Sequence, residues 1–224
     1  MSLLALLHLC DSLFPSGGFG YSDGLEAETS TGTVATAGDL AGWLDACLDE
    51  TIGRSDGPTL LRGWTACSAH DWDLLGVLDR EATALRPSAA VRHSSRAMGL
   101  RLVTTWHALY PDAGLERVLP LVRDGGLGPT LPIAFACVSV SAGIERRAAA
   151  EAFSYTRLAA TISAAMRLMP IGQTDAHGLL ARALHRVPAA VDAMLERDSV
   201  ESFAPLMDIA MMTQQYLHSR LFRS

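Results

Sequence analysis

The residues able to do chemistry are thinly spread through this 224-residue chain. Four glycines crowd the stretch LFPSGGFGYSDGLEAE, residues 13–28, where a phosphate cradle would be sought. No Gly-Lys-Ser/Thr follows SGGFG and no strand pattern precedes it, so neither a P-loop nor a dinucleotide fingerprint is present. His70-Asp71 and Asp175-x-His177 bring metal-ligating types together, but too closely in sequence to share a helix face at i, i+3 or i, i+4. They read as caps or surface groups. Arg92, Arg96 and Arg101 surround His93 and disfavour a cation there. They could hold an anion, although a solvated helix face with salt-bridge partners is the preferred reading. Glu26 and Glu28 suit the first turn of a helix, where its dipole favours negative charge, better than a paired-carboxylate site. HExxH is absent. No catalytic residue, metal-ligand set or cofactor site is read.

Composition narrows the classes further. All eighteen basic residues are arginine, which removes Schiff-base, P-loop and kinase-type lysine chemistry. A net charge of −6 with no basic recognition helix argues against a nucleic-acid partner. Cys10, Cys47, Cys67 and Cys137 are scattered through apolar helical contexts and read as buried free thiols, as in a reducing compartment. The start MSLLALLHLCDSLF lacks a basic region and is interrupted by His8 and Asp11, unlike a signal peptide. The weakly polar run 132–144 is too short to span a bilayer. A cytoplasmic protein with no membrane partner is expected.

Helical periodicity runs almost throughout. Leu3, Leu6, Leu7, Cys10 and Leu13 share one face. Thr36 and Asp39 form a capping-box pattern before a helix carrying Trp43, with Asp45, Asp49 and Glu50 on its wet side. Helices follow over GPTLLRGWTACSAH, WDLLGVLDREATAL, from Pro87-Ser88 to before Pro111, and over 115–122. An Ala-rich helix closes at Met169-Pro170. Thr174 or Asp175 caps the next one, Pro188 begins a short helix, residues 199–205 break the pattern, and a last helix covers about 206–218. Only CVSVSA alternates with period two, and it is short. The expected fold is all-α, a single-domain bundle of about ten helices over residues 1–224.

The glycines of the opening stretch then have two readings, a shaped contact surface or an interhelical turn with Phe14, Phe19 and Tyr21 tucked into the core. Ser22 could cap a short helix starting at Asp23. LLHLCDSLFPSGGFGYSDGLEAE resembles the N-terminal signature of the urease accessory protein F family through Ser12, Pro15, Gly17, Gly18, Phe19, Tyr21, Ser22, Gly24, Leu25 and Glu26. RHSSRAMGLRL resembles that family's Arg-x-Ser-x-x-x-Gly helix, and AAMRLMPIGQTD, with Gln173, its Val-Arg-Leu-x-Pro-Leu-Gly-Gln segment. DIAMMTQQYLHSRLFRS resembles its ending through Ser219, Arg220, Leu221 and Phe222, followed here by Arg223. Thr213, Gln214, Gln215 and His218 depart from the usual residues there, and GPTLPIAF lacks the histidine often found in that loop.

The resemblance implies an all-α, usually dimeric, non-enzymatic protein. Its partners would be a D-type (or H-type) accessory protein, a G-type GTPase and apo-urease, with nickel delivered as cargo. The signature residues, Gln173 and 219–223 would meet partners. Within SRLFRS, two arginines beside Leu221 and Phe222 have the composition of an interface anchor. That tail would either order on partner binding or pack as a last turn on its own core. The competing function is a small-molecule site between helices, using groups such as His93, Arg96 and Tyr155.

Overall fold

A computed structural model describes residues 3–16 and 18–223. Eleven α-helices appear among them: α1 Leu3–Cys10, α2 Leu25–Thr31, α3 Ala37–Ala46, α4 Gly57–Ser68, α5 Trp72–Ala84, α6 Ala89–Leu109, α7 Ala113–Arg123, α8 Leu131–Ser141, α9 Arg146–Leu168, α10 Gln173–Leu195 and α11 Pro205–Thr213. A π-helix, Cys47–Asp56, joins α3 to α4, and 3₁₀ turns cover Gly18–Gly20 and Gln214–Tyr216. No strand is present among the described residues, so the architecture is all-α as expected.

Helix α8 is the axis of the bundle. Its run Pro132–Ser139 is buried on every side, as an all-round apolar helix must be, and it lies between α4 and α6. The Ser-x-x-x-Gly spacing in α6 serves this packing. Ser95 Oγ accepts the Leu131 N–H at 3.0 Å. A methyl group at Gly99 would stand 2.1 Å from the Pro129 carbonyl oxygen, so only glycine admits the loop there. From α5, the buried Asp79 carboxylate accepts the Gly128 and Thr130 N–H groups at 2.6 and 2.7 Å and fixes the entry into α8.

The capping box at Thr36 and Asp39 forms as expected. Asp71 caps α5 by accepting the Leu74 N–H, which gives the His70-Asp71 pair a structural role. Cys47, Cys67 and Cys137 are buried, Cys10 is half-buried, and all four thiols are free. Other details differ from the sequence reading. TIGRSDG, to which the sequence reading assigned no element, continues as part of a π-helix, because Leu48 and Ile52 face the core and the buried Asp56 pairs with Arg86. Pro188 lies inside α10 instead of starting a helix, the segment being held along α9 with Arg147 donating to the Pro188 carbonyl. Neither Thr174 nor Asp175 caps α10; Gly172 occupies that position without a side-chain bond. Finally, α1 buries Leu9 and half-buries Ala5, Leu6 and Cys10, leaving Leu3, Leu4, Leu7 and Leu13 exposed.

Candidate functional site

The two ends of the chain close on each other. Gly24 caps α2 with φ +89°, a conformation that favours glycine. A methyl group there would also meet Met211 N at 2.9 Å and Ala210 Cβ at 3.0 Å. Gly24 therefore answers the question posed by the glycine-rich stretch: it lets α11 lie directly on the start of α2. Leu25 beneath it is fully buried. Ser22 does not cap α2. Its hydroxyl donates to Gln214 Oε1 at 3.2 Å and accepts from Gln214 Nε2 at 3.0 Å.

Gln214 and Glu26 carry the joint. The buried amide of Gln214 also accepts the Gly24 N–H at 3.2 Å and donates to Glu26 Oε2 at 3.0 Å. The Glu26 carboxylate, 6% exposed, accepts the Leu221 N–H at 2.5 Å and the Phe222 N–H at 3.1 Å. This rationalises why the final helix ends at Thr213 and not near 218: Gln214 turns its side chain inward and the chain unwinds to present two amides to Glu26. Arg223 N–H completes the seam on the Gly20 carbonyl at 2.9 Å. The Glu26 expected at a solvated helix start is thus an internal acceptor, matched by orphan amides from 195 residues away.

A third element braces the joint. From α9, the Arg167 guanidinium lies between the rings of Phe19 and Phe222, 4.0 and 4.2 Å from their centroids, and donates to the Phe19 carbonyl at 2.8 Å. One turn of signature away, Asp23 pairs with Arg157 of α9. Burial opposes the charge on Arg157, yet the carboxylates of Asp23 and Asp56 hold its pKa above the ordinary arginine value. Phe222 is 3% exposed, so the tail packs on its own core, the second of the two readings of SRLFRS.

What remains outside is apolar and basic. Phe19, Leu221 and Tyr216 are exposed, as are Pro15, Ser219, Arg220 and Arg223. Arg220 and Arg223 make no ion pair with a described residue. Along α11, Leu206, Ile209 and Met212 recur on one exposed face. Tyr21 and Gly18 line a cavity of about 480 Å³ roofed by the signature segment, with Phe14, Phe135, Phe153 and Tyr155 among its walls. Burial pushes the Cys10 thiol at its edge up to about 11.

The expected site residues therefore divide. Gly18, Phe19, Tyr21, Ser22, Gly24, Leu25, Glu26, Leu221, Phe222 and Arg223 are brought together. Gln173 opens α10 as an exposed residue with no hydrogen bond to this cluster, and Gly17 lies outside the described residues. Arg157 was missed, while Arg167, inside the Val-Arg-Leu-x-Pro match, and Gln214, among the departing positions, were not assigned to the site: an arginine in an Ala-rich helix and an amide in a polar run carry no local signal of their long-range partners. Of the trio suggested for a ligand pocket, only Tyr155 lines the cavity, while His93 and Arg96 stand on the outer face of α6. No group of three or more His, Cys, Asp or Glu able to hold a metal occurs among the described residues. No helix among them is long and apolar enough to cross a membrane.

Comparison with known proteins places the whole arrangement. The chain matches the UreF family over residues 34–184. It is 30% identical to the urease accessory protein UreF of Lachnoclostridium phytofermentans, covering 99% of this chain and 98% of that one. The same-named protein of Rhodopseudomonas palustris (strain BisB5) is 33% identical, with 100% and 91% covered, and that of Paenarthrobacter aurescens 30%, with 99% and 97%. With an all-α fold and end-to-end similarity of this extent, the chain belongs to the UreF family.

Proposed function

We propose that this chain is a non-enzymatic urease maturation factor. Residues 1–224 act as one helical unit in the cytoplasm. It bridges a D-type or H-type accessory protein and a G-type GTPase on apo-urease, and gates GTP-dependent nickel insertion, the metal being cargo. It works as a homodimer. The relatives' shared name, urease accessory protein UreF, supports the pathway. The observation that carries the scaffold role is the joined termini. Buried polar groups fix the signature to the C-terminal tail, and the outside of that joint presents Phe19, Tyr216, Leu221, the α11 row and two arginines. Aromatic and aliphatic anchors with arginine at the rim suit a protein interface.

The test is co-expression with the D-type and G-type proteins of the same genome, followed by size-exclusion chromatography with light scattering. A stoichiometric complex is expected for the intact chain. It should be lost in Leu206→Glu/Ile209→Glu and in a chain ending at residue 218, with helix content preserved. A chain that ignores both partners overturns the scaffold reading.

A further inference from the structure

The joint between the termini and its outer face make no use of the cavity beneath the signature segment. At about 480 Å³ the cavity falls within the range of about 300–1,000 Å³ typical of small-molecule sites. Its walls are apolar. Helices α6, α8 and α9 supply Met98, Leu102, Phe135, Phe153 and Ala164, all buried. The segment after α1 adds Phe14, and the C-terminal tail adds Phe222. Leu13, Phe19 and Tyr155 line it too and are exposed, so the cavity opens to solvent on their side. The charged lining residues differ in their partners. Asp11 Oδ1 accepts the Leu13 N–H at 2.9 Å, and Arg157 is paired with Asp23. Arg101 shares a face of α6 with Met98 and Leu102 and is exposed. Its guanidinium makes no hydrogen bond or ion pair with a described residue.

We infer that this cavity binds an amphipathic monocarboxylate, its hydrocarbon body between α6, α8 and α9 and its carboxylate on Arg101. The apolar walls select the body, because burying it removes apolar surface from water. The uncommitted guanidinium selects the head, since its fork matches one carboxylate in a two-point pair. A phosphate dianion would lack a second cation: Arg157 is neutralised by Asp23, and the Asp11 carboxylate lines the same space. The site goes beyond the scaffold role and does not depend on it. It nonetheless bears on the joint. Phe222 is at once a wall of the cavity and one of the two rings that hold Arg167, so a ligand packed on it opposes release of the tail.

The test is calorimetric titration of the full chain with decanoate, kept below its micelle threshold, and with its uncharged analogue decanol. The native chain should bind one decanoate, and more tightly than decanol. A free concentration ten times Kd should raise Tm by about 4 °C and slow amide exchange at Phe222. Arg101→Gln should weaken decanoate at least tenfold and leave decanol unchanged, a split that a merely structural role would not give. Ala160→Phe puts a ring into the cavity from α9 and should abolish both, with the far-ultraviolet circular dichroism spectrum retained. The milder Ala160→Leu should weaken both about threefold, which keeps the test informative if the larger ring disturbs α9. A native chain that binds neither probe, or binds decanol as tightly as decanoate, overturns the assignment. So does decanoate binding that Arg101→Gln and Ala160→Phe both leave untouched. If decanoate does not bind and Ala160→Phe instead abolishes D-type capture, the cavity takes a segment of that partner and the proposal falls, while the scaffold reading stands.

Discussion

The joint of residues 22–26 with 214–223 and the leucines of α1 both draw on one short N-terminal stretch, yet they are built on opposite principles. The joint is polar inside. Ser22, Glu26 and Gln214 are buried and satisfied by one another and by backbone amides. Such networks are directional, so each member is needed in its place. The α1 face is apolar outside, with leucines that touch solvent and make no directed bond. Replacing a leucine exposed there should cost little stability, whereas damage to the joint should cost stability and partner capture together.

The largest expected effect lies in the joint. Gly24→Ala places a side chain at φ +89° and drives its methyl group against Met211 N, so α11 must lift away from α2. A loss of about 4 kcal/mol is expected, a fall of roughly 12 °C in Tm by calorimetry. Next comes Glu26→Ala, which removes the acceptor for Leu221, Phe222 and Gln214. About 2 kcal/mol should be lost, with amide exchange at Leu221 and Phe222 rising sharply. Protection that stays unchanged at those two amides would break the idea that Glu26 fastens the tail. Arg167→Ala takes the cation from between two rings and should cost about 1 kcal/mol, read as an intermediate increase in exchange at Phe222.

The smallest effect is a local one, away from both regions. Asp39 in the capping box is held below the ordinary carboxylate pKa by hydrogen bonds from the Thr36 hydroxyl and from the Thr36 and Ala35 N–H groups. A depressed folded pKa gives stability that is complete above the unfolded value near ~3.9 and is lost as pH falls through the folded one. The Tm advantage of the native chain over Asp39→Ala should therefore be level from pH 7 to 5 and shrink below pH 4. An advantage that grows on acidification would contradict the assignment.

Legibility followed the range of the interaction. The Thr36–Asp39 box, the start of α6 at Ser88 and the end of α9 before Pro170 were readable because capping and proline effects act within a few residues. Pro188 was misread because packing of α10 against α9 outweighed a local breaker signal. The α1 leucines were read as sharing one face, and helical spacing alone cannot say which side of an apolar helix meets the core. At the joint, the family signature marked Glu26 and Phe222, while the reason for their pairing lay in neither motif.

By itself the sequence determined the helical class, the lack of a lysine-based or spaced-ligand chemistry, and the two motifs that tie this chain to its family. Each of these depends on residue type or on spacing within a few turns. Only the tertiary structure decided that the motifs are one site, that Glu26 faces inward to meet the tail, that Arg167 stands between two aromatic rings, and that four leucines of the N-terminal segment face water. Those outcomes join residues far apart in sequence. They are set by which buried amides need an acceptor and which apolar faces the core has room to cover.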